Sequence, residues 1–323
     1  MGQKDLVTNR CLSDNERYSD LINGVIFGGE QKLNSDSLQE LDSRSIVGKW
    51  LYKYGYKERQ LYRDIVKRAA FGMNFAVIGV ENQSEVHYLM PLRAMAYDLA
   101  EYDKQASRIR KQIRKKRGIT TAEFLSGFGK NNKLHPCVTI VLFYGEEWDG
   151  SKELHGLLDF TDIPEELKEY VNNYKVHIVN MSKWEDAEVF KTDLKQIFKF
   201  LRCANDKAKI KELTEQDVAF GELDEEAYDM IAEYANSSML KKIKTRYKKG
   251  GKVDMCKGLR DWMEEERLIG VEQGIEQGIE QGIKAFVKDK IDDKLSKDRI
   301  ISKLVISFQL EPKRAEEYYI KYR

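Results

Sequence analysis

Hydrophobic and polar residues alternate with a period of about two in the stretch that organises this chain. Leu61 to Lys67 and Phe75 to Glu81 are therefore predicted to be β-strands. The intervening residues, Arg68 to Asn74, contain Gly and Asn and favour a hairpin loop. The same period of two places Glu81 and Gln83 on one face of the second strand.

Elsewhere the apolar positions recur every three or four residues and predict helices. A helix is expected from Glu16 to Phe27 behind an N-cap at Ser13 or Asp14, and another after Pro91. Further helices are expected at 165–171, 187–203 and 216–239, and further strands at 136–145 and 174–179. Alternating strands and helices of this kind indicate an α/β core. The aromatic run from Ile46 to Tyr56 predicts a half-buried sheet face beside the first two strands.

Composition limits the classes of protein to which the chain can belong. The 323 residues carry a formal charge of +1, with 55 basic and 54 acidic side chains, so attraction to nucleic acid requires charges that are segregated along the chain. The four scattered cysteines predict reduced thiols. Because a long apolar run and an apolar signal region are both lacking, we expect a cytoplasmic protein with no membrane partner.

Charge is segregated most strongly just after the helix that follows Pro91. Between residues 104 and 117, eight side chains are basic and none is acidic: Lys104, Arg108, Arg110, Lys111, Arg114, Lys115, Lys116 and Arg117. Such a block repels itself, so an anionic partner explains it better than a solvated helix face. We expect residues 104–133, including a mobile segment from Gly118 to Lys133, to follow a nucleic-acid backbone without reading its sequence.

Glu81 ends an apolar strand, where a buried carboxylate requires a partner or a metal. Asp64 on the adjacent strand is the obvious companion, and two hard oxygen ligands favour Mg²⁺ or Mn²⁺ over zinc. The backbone carbonyl of Asn82 is a candidate third ligand, and Gln83 could orient a water. The alternative is that Glu81 is only a solvated residue at the rim of the sheet.

Several stretches of this chain, in order, resemble the PD-(D/E)xK phosphodiesterase superfamily, in its branch of transposase-like, recombination-promoting nucleases. The resemblance is carried by Asp64 in LYRDIVK, by Glu81 and Gln83 in VIGVENQSEVHY, and by the helix-opening MPLRAMAYDLAEY. SDNERYSDLINGVIFGGEQ and HPCVTIVLFYGEEWDG extend it over most of residues 10–235. Where the superfamily usually has lysine, this chain has Gln83, which can only form hydrogen bonds.

The resemblance implies a restriction-endonuclease-like mixed central sheet flanked by helices at 1–235, followed by a mostly helical extension at 236–323. It also implies a Mg²⁺-dependent endodeoxyribonuclease linked to DNA mobility or recombination, with Asp64, Glu81 and Gln83 as catalytic residues. In such proteins the first helix can lend an acid to the metal site, so Asp20 is a weaker candidate ligand. A solvent-facing acid on an amphipathic helix is the alternative for Asp20.

Arg93 and Tyr97 lie four residues apart on the helix after Pro91 and are expected to share a face. Arg93 could meet a phosphate of DNA, or it could pair with Asp98 or Glu101 and only stabilise the fold. His87 is expected to pack or to form hydrogen bonds rather than to act as a general base, because a metal can activate water.

The composition changes beyond residue 236. A second basic cluster, Lys241 to Lys252, ends near Gly250-Gly251, which suggests a hinge. A GIEQ repeat then predicts a helix of marginal stability, because each interior glycine costs about 1 kcal/mol against alanine. Small residues at every fourth position suggest a homo-oligomer, whereas a tolerated linker of variable length is the alternative. The tail from 288 to 323 predicts a helical pair broken near Pro312.

Three functions are therefore open. The first is a Mg²⁺-dependent DNA endonuclease. The second is a non-catalytic nucleic-acid-binding or assembly protein on a degenerate nuclease fold, with Gln83 as the sign of decay. The third is an interaction protein acting through residues 255–323.

Overall fold

The computed structural model describes residues 2–41, 44–47, 59–62, 64–71 and 74–323. They divide into two units, Met1–Cys256 and Lys257–Arg323. Residues 48–56 of the aromatic run and residues 72–73 of the predicted hairpin loop lie outside the described residues. None of the helices in these ranges has both the length and the apolar composition needed to cross a membrane.

The first unit is a mixed α/β structure around a five-stranded sheet, which confirms the predicted class at this level. In chain order, the first seven strands among the described residues are β1 (Leu38–Glu40), β2 (Arg44–Val47), β3 (Arg59–Tyr62), β4 (Ile65–Phe71), β5 (Asn74–Gln83), β6 (Cys137–Phe143) and β7 (His177–Asn180). The sheet order is β1-β4-β5-β6-β7, and β2 pairs separately with β3. The first three strands of the large sheet are antiparallel, whereas β5, β6 and β7 run parallel.

Helices cover both faces of this sheet. The first nine α-helices among the described residues are α1 (Gln3–Ser13), α2 (Asn15–Phe27), α3 (Met90–Ile113), α4 (Thr121–Ser126), α5 (Glu165–Lys168), α6 (Leu194–Cys203), α7 (Lys207–Gln216), α8 (Glu225–Tyr234) and α9 (Ser238–Tyr247). On one face Tyr18 of α2 donates a hydrogen bond to the carbonyl of Ile78 at 2.8 Å. On the other face Thr139 of β6 donates to Asp98 of α3 at 2.9 Å. The parallel step from β5 to β6 therefore uses α3 as its crossover helix.

Strand β4 lies later in the chain than the sequence predicted. Asp64 precedes the strand, and Arg68, which was assigned to the loop, lies within it. The loop prediction for Arg68 to Phe71 was wrong because a basic Arg68 close to Gly72 and Asn74 is typical of a turn, whereas Arg68 continues the strand after Lys67. Lys67 is nevertheless fully buried and donates to the carbonyl of Ser13 and to Asn15 Oδ1, both at 2.7 Å.

Two segments predicted to be irregular are ordered here. Residues 118–133, expected to be mobile, contain α4, which starts with a capping box between Thr120 and Glu123 and ends at Gly127 with φ 67°. Gly250 and Gly251, expected to form a hinge, have φ values of 59° and 83° and turn the chain between β9 (Lys248–Lys249) and β10 (Lys252–Val253). Two successive positive φ values are typical of a tight hairpin turn.

The boundary between the units falls after Cys256, later than the predicted division at 235/236. The reason is that α9 and its hairpin pack on α8 in the first unit: β10 pairs with β8 (Leu223–Asp224), and Tyr228 donates to the carbonyl of Leu240 at 2.9 Å. The basic cluster from Lys241 to Lys252 is thus part of the first unit.

Residues of the second unit lie in α10 (Met255–Asp292), α11 (Lys297–Phe308) and α12 (Pro312–Tyr322), as the sequence predicted for this helical tail. Its core consists of Ile283, Val287, Ile300, Leu304 and Ala315. The repeat residues Val271, Ile275 and Ile279 are about half exposed. Self-association through this repeat stays a prediction.

Candidate active site

Asp64 and Glu81 lie at the same end of the β4–β5 pair. The antiparallel register pairs Ile65 with Val80, so Asp64 lies one position beyond the last pair, next to Glu81. The Oδ2 atom of Asp64 accepts a hydrogen bond from the backbone amide of Asn82 at 2.8 Å. The two acids of the predicted site are therefore neighbours at this end of the sheet.

Glu81 is buried and contacts α3. Its Oε1 atom accepts from the Tyr97 hydroxyl at 3.1 Å and lies 2.5 Å from Nη2 of Arg93. Nε of Arg93 in turn donates to the Tyr97 hydroxyl at 2.7 Å, which closes a triad of three side chains. The predicted shared face of Arg93 and Tyr97 is confirmed, and Glu81 is not the solvated rim residue of the alternative interpretation.

Arg93 is affected by both carboxylates. Burial alone would lower the pKa of its guanidinium, but the charges of Glu81 and Asp64 and the hydrogen bond to Tyr97 outweigh burial and raise that pKa above its usual value. Burial likewise raises the pKa of Tyr97, and the charge of Glu81 adds to the effect. The tyrosine therefore remains protonated and can donate to Glu81.

The alternative prediction, that Arg93 pairs with Asp98 or Glu101, is wrong. Asp98 instead accepts hydrogen bonds from Thr139 and from the Tyr174 hydroxyl, and Glu101 lies 3.7 Å from Lys104. Asp98 thus points across to β6 and Tyr174, whereas Glu101 pairs with a lysine one turn further along α3.

Asp64 also interacts with α1, which the sequence did not predict. Burial raises the pKa of the Asp64 carboxyl, although the hydrogen bonds from the Asn82 amide and from Asn9 act in the opposite direction. Nδ2 of Asn82 donates to Asn9 Oδ1 at 2.9 Å, whereas Oδ1 of Asn82 is buried and has no hydrogen-bond partner within the described chain. The charge of Asp5, one turn before Asn9, further raises the pKa of Asp64.

Asn9 and Asp5 were missed because α1 has no clear apolar stripe that would mark it as a helix. The available signal was their separation of four residues, which places them on one helical face. Asp5 Oδ1 accepts from the Tyr144 hydroxyl at 2.7 Å, so α1 is fixed against the segment that follows β6.

Asp20 holds α2 against the start of α6. Its carboxylate accepts from the backbone amides of Lys191 and Thr192 and from the Thr192 hydroxyl, at 2.7 to 2.9 Å. With 3% exposure it is buried, so the expectation of a solvent-facing acid is wrong. This arrangement gives Asp20 a structural role.

Two further predicted residues flank the triad. Gln83 is half-buried at the end of β5, and its carbonyl accepts from the Tyr144 amide at 3.2 Å. Burial and the charge of Arg93 lower the pKa of His87, and its Nδ1 atom is buried without a hydrogen-bond partner in the described ranges. His87 is therefore neutral at pH 7 and forms no hydrogen bond through that nitrogen.

Most of the predicted basic block is exposed. Arg108 and Lys111 lie on the last turns of α3, and residues 114–117 follow it. Arg110 is half-buried because its aliphatic part packs against Gly127, where an added Cβ would meet Cγ of Arg110 at 2.5 Å. Within the described residues only Lys104 of this block has an acidic partner, Glu101.

The acids do not form a larger cluster in the part of the chain that is described. No three His, Cys, Asp or Glu side chains there come together as a group that could hold a metal ion. The oxygen donors at the sheet end are therefore two carboxylates and the amide and carbonyl oxygens of Asn82.

Comparisons with protein-family models, with curated proteins and with solved structures found no match to this chain.

Proposed function

We propose that this protein is a Mg²⁺- or Mn²⁺-dependent DNA endonuclease with a restriction-endonuclease-like fold, of the recombination-promoting type that its sequence resembles. One observation carries the proposal. Asp64 and Glu81 are neighbours at one end of the β4–β5 pair, and the charges of both act on Arg93. Paired acids at the end of a strand, beside a cation, are side chains suited to metal-assisted hydrolysis of a phosphodiester.

The donor set fits a hard divalent cation. Asp64 and Glu81 would hold the ion together with the backbone carbonyl of Asn82, since the Asn82 side chain lies on the opposite face of β5 from Glu81 and hydrogen-bonds to Asn9. When bound, such an ion supplies an activated water and neutralises charge on the phosphate. Burial raises the pKa of Asp64, so a proton competes with the cation for this carboxylate at a higher pH than at an exposed aspartate. The ionised form, which can bind a cation, becomes more populated as the pH rises.

The other side chains have roles that do not depend on the metal. Tyr97 holds Glu81 in a fixed orientation through its hydroxyl. Gln83, which lies two residues further on the same face, can hydrogen-bond a water but cannot supply charge. Arg93 can compensate, because its guanidinium is the cation next to Glu81. The exposed basic block would bind the DNA backbone.

A plasmid-nicking assay tests the proposal. Purified protein with Mg²⁺ is expected to nick supercoiled DNA, and Asp64→Asn and Glu81→Gln are each expected to reduce the rate by at least about 100-fold. Both variants should retain DNA affinity, because the basic block is unchanged. Titration of Mn²⁺ without DNA gives a readout independent of activity, and Asp64→Asn should weaken that binding.

Glu85→Gln is the matched control, since Glu85 is an exposed acid just beyond β5. It should cut and bind Mn²⁺ like the wild type. If Asp64→Asn and Glu81→Gln also cut like the wild type, the catalytic site is elsewhere and the proposal fails.

The ion pair between Arg93 and Glu81 favours a second candidate, a nucleic-acid-binding protein without catalysis. In this protein Arg93 already neutralises the acid that a metal would otherwise engage. This candidate predicts salt-sensitive DNA binding with no cleavage at any Mg²⁺ or Mn²⁺ concentration.

A further inference from the structure

A small cavity of about 190 Å³ lies on the α3 side of the sheet, apart from the triad. It is bounded by α3, by β4 and by the segment that leads into β6. Its lining residues are Leu41, Arg68, Glu101, Gln105, Arg108, Ile109, Lys133 and His135. Pockets for drug-sized molecules measure about 300 to 1,000 Å³, so this one suits a smaller ligand or the end of a longer one.

The lining is strongly cationic. Arg108 and Lys133 carry positive charge without an ion pair among the described residues, and Lys104 offsets the negative charge of Glu101, which leaves a surplus of two positive charges before Arg68 and His135 are counted. A phosphomonoester carries a charge of about −1.5 to −2 at pH 7. The surplus therefore matches a phosphomonoester better than the single charge of a phosphodiester or a carboxylate.

The walls of the cavity are held in place before any ligand arrives. Gln105, a buried residue of α3, accepts from the backbone amide of His135 at 2.7 Å and donates to the carbonyl of His135 at 3.3 Å. Arg68 donates to Oε1 of Gln39 at 2.5 Å. A wall fixed by such contacts loses little entropy when a ligand binds.

Glu101 indicates which chemical group of the ligand lies next to its phosphate. It is a buried acceptor with 4% exposure, and Lys104 partly offsets its charge at 3.7 Å. A phosphate oxygen would be repelled by this carboxylate, whereas a hydroxyl can donate to it. The complementary ligand thus has an anionic phosphate at one end and a hydroxyl close by.

We propose that this cavity binds a sugar phosphomonoester, with its phosphate against Arg108 and Lys133 and a sugar hydroxyl on Glu101. Two sources share this chemistry: a free pentose phosphate, and the phosphorylated end of a nucleic-acid strand. The site does not depend on the proposed nuclease activity, because it uses neither Asp64 nor Glu81.

Calorimetric titration of the full chain without divalent metal tests the proposal. The probes are ribose 5-phosphate, inorganic phosphate, and one oligonucleotide carrying either a 5′-phosphate or a 5′-hydroxyl. Ribose 5-phosphate or the phosphorylated oligonucleotide is expected to bind at least about tenfold more tightly than ribose or the hydroxyl oligonucleotide respectively. Binding of ribose 5-phosphate supports a free sugar phosphate as the ligand, and binding of the phosphorylated oligonucleotide alone supports a strand end.

Three variants and one control connect the binding to the cavity. Arg108→Gln and Lys133→Gln should each lower the affinity at least about tenfold, whereas Lys130→Gln, an exposed lysine on the same segment outside the cavity, should not. Glu101→Gln should weaken the sugar phosphate more than inorganic phosphate. Circular dichroism confirms that each variant is folded. Equal losses in Lys130→Gln and Lys133→Gln, or no preference for either phosphomonoester, would overturn the proposal.

Discussion

Two stretches of this chain have almost the same basic composition but different surroundings. The first, Lys104 to Arg117, is exposed over most of its length, and within the described residues only Lys104 meets an acid. In the second, Lys241 to Lys252, four lysines form ion pairs with acids on or next to α8. These are Lys241 with Glu233, Lys244 with Asp229 and Glu225, Lys248 with Glu225, and Lys252 with Asp224.

The difference shows that a run of like charge in the sequence does not predict a charged surface. Glu225, Asp229 and Glu233 are spaced four residues apart, so α8 presents one acidic face. Helix α9 brings its lysines to that face, and the second stretch thereby joins two helices. The first stretch has no such partner face within the described chain, so its charge remains available to an external anion.

The largest effect is expected from neutralising the end of the first stretch. Replacing Arg114, Lys115, Lys116 and Arg117 together with Gln should lower the slope of log K against log salt for DNA by roughly 3 to 4, because each lost phosphate contact removes about 0.9. Affinity should fall by on the order of 1,000-fold at about 0.1 M salt. A fluorescence-anisotropy titration at several salt concentrations measures both quantities. An unchanged slope would show that DNA binds elsewhere.

Disrupting the second stretch should change stability instead of binding. Lys244 is 17% exposed and lies 2.7 Å from Asp229 and 2.8 Å from Glu225. Lys244→Met should therefore lower the free energy of unfolding by about 1 to 2 kcal/mol, between the values for exposed and buried pairs. Urea denaturation measures this change, and Lys249→Met, an exposed lysine of the same hairpin, serves as the control. A loss of DNA affinity in Lys244→Met without a loss of stability would reverse the assignment of the two stretches.

Low pH should weaken the ion pairs of the second stretch. Hydrogen bonds from Lys244 and Lys248 lower the pKa of Glu225 from 4.5 to about 2. A carboxyl whose pKa is depressed in the folded state contributes stability above its unfolded pKa and loses that contribution as the pH falls towards the folded value. The stability difference between the wild type and Lys244→Met should accordingly shrink from pH 5 to pH 3. Urea denaturation at each pH tests this, and a constant difference would contradict it.

The smallest effect is expected from replacing Lys104, which lies in the first stretch. Lys104 already faces Glu101 at 3.7 Å, whereas Lys111 is exposed and has no ion pair among the described residues. Lys104→Gln should change the salt slope by less than Lys111→Gln, which should lower it by about 0.9. Anisotropy titrations of the two single variants provide the comparison, and equal slopes would show that the ion pair does not matter.

Local patterns were sufficient to predict elements whose residues are apolar. Strand β6 follows from a continuous apolar run, and the start of α3 follows from Pro91 at its first turn. The end of strand β4 could not be located, because a basic Arg68 close to Gly72 is typical of a loop. The burial of Lys67 could not be predicted either. Its partners, Ser13 and Asn15, lie more than fifty positions earlier in the chain, and no local pattern contains that information.

The site was predictable to a similar extent. The common face of Glu81 and Gln83 follows from the period of two, and the neighbouring position of Asp64 follows from pairing two strands. The partners of these acids could not be predicted, because Arg93 and Asn9 approach from helices on different sides of the sheet. Asp20 illustrates the same limit, since the backbone amides that hold it belong to Lys191 and Thr192.

Helix α3 fixes the distance between two basic residues, because it carries Arg93 in its first turn and ends just before Arg114. At 1.5 Å per residue these two positions are about 30 Å apart. Duplex DNA rises about 3.4 Å per base pair, so the same distance corresponds to about nine base pairs. If the protein is the proposed endonuclease, the length of α3 sets the shortest duplex that can contact both Arg93 and the basic residues 114–117.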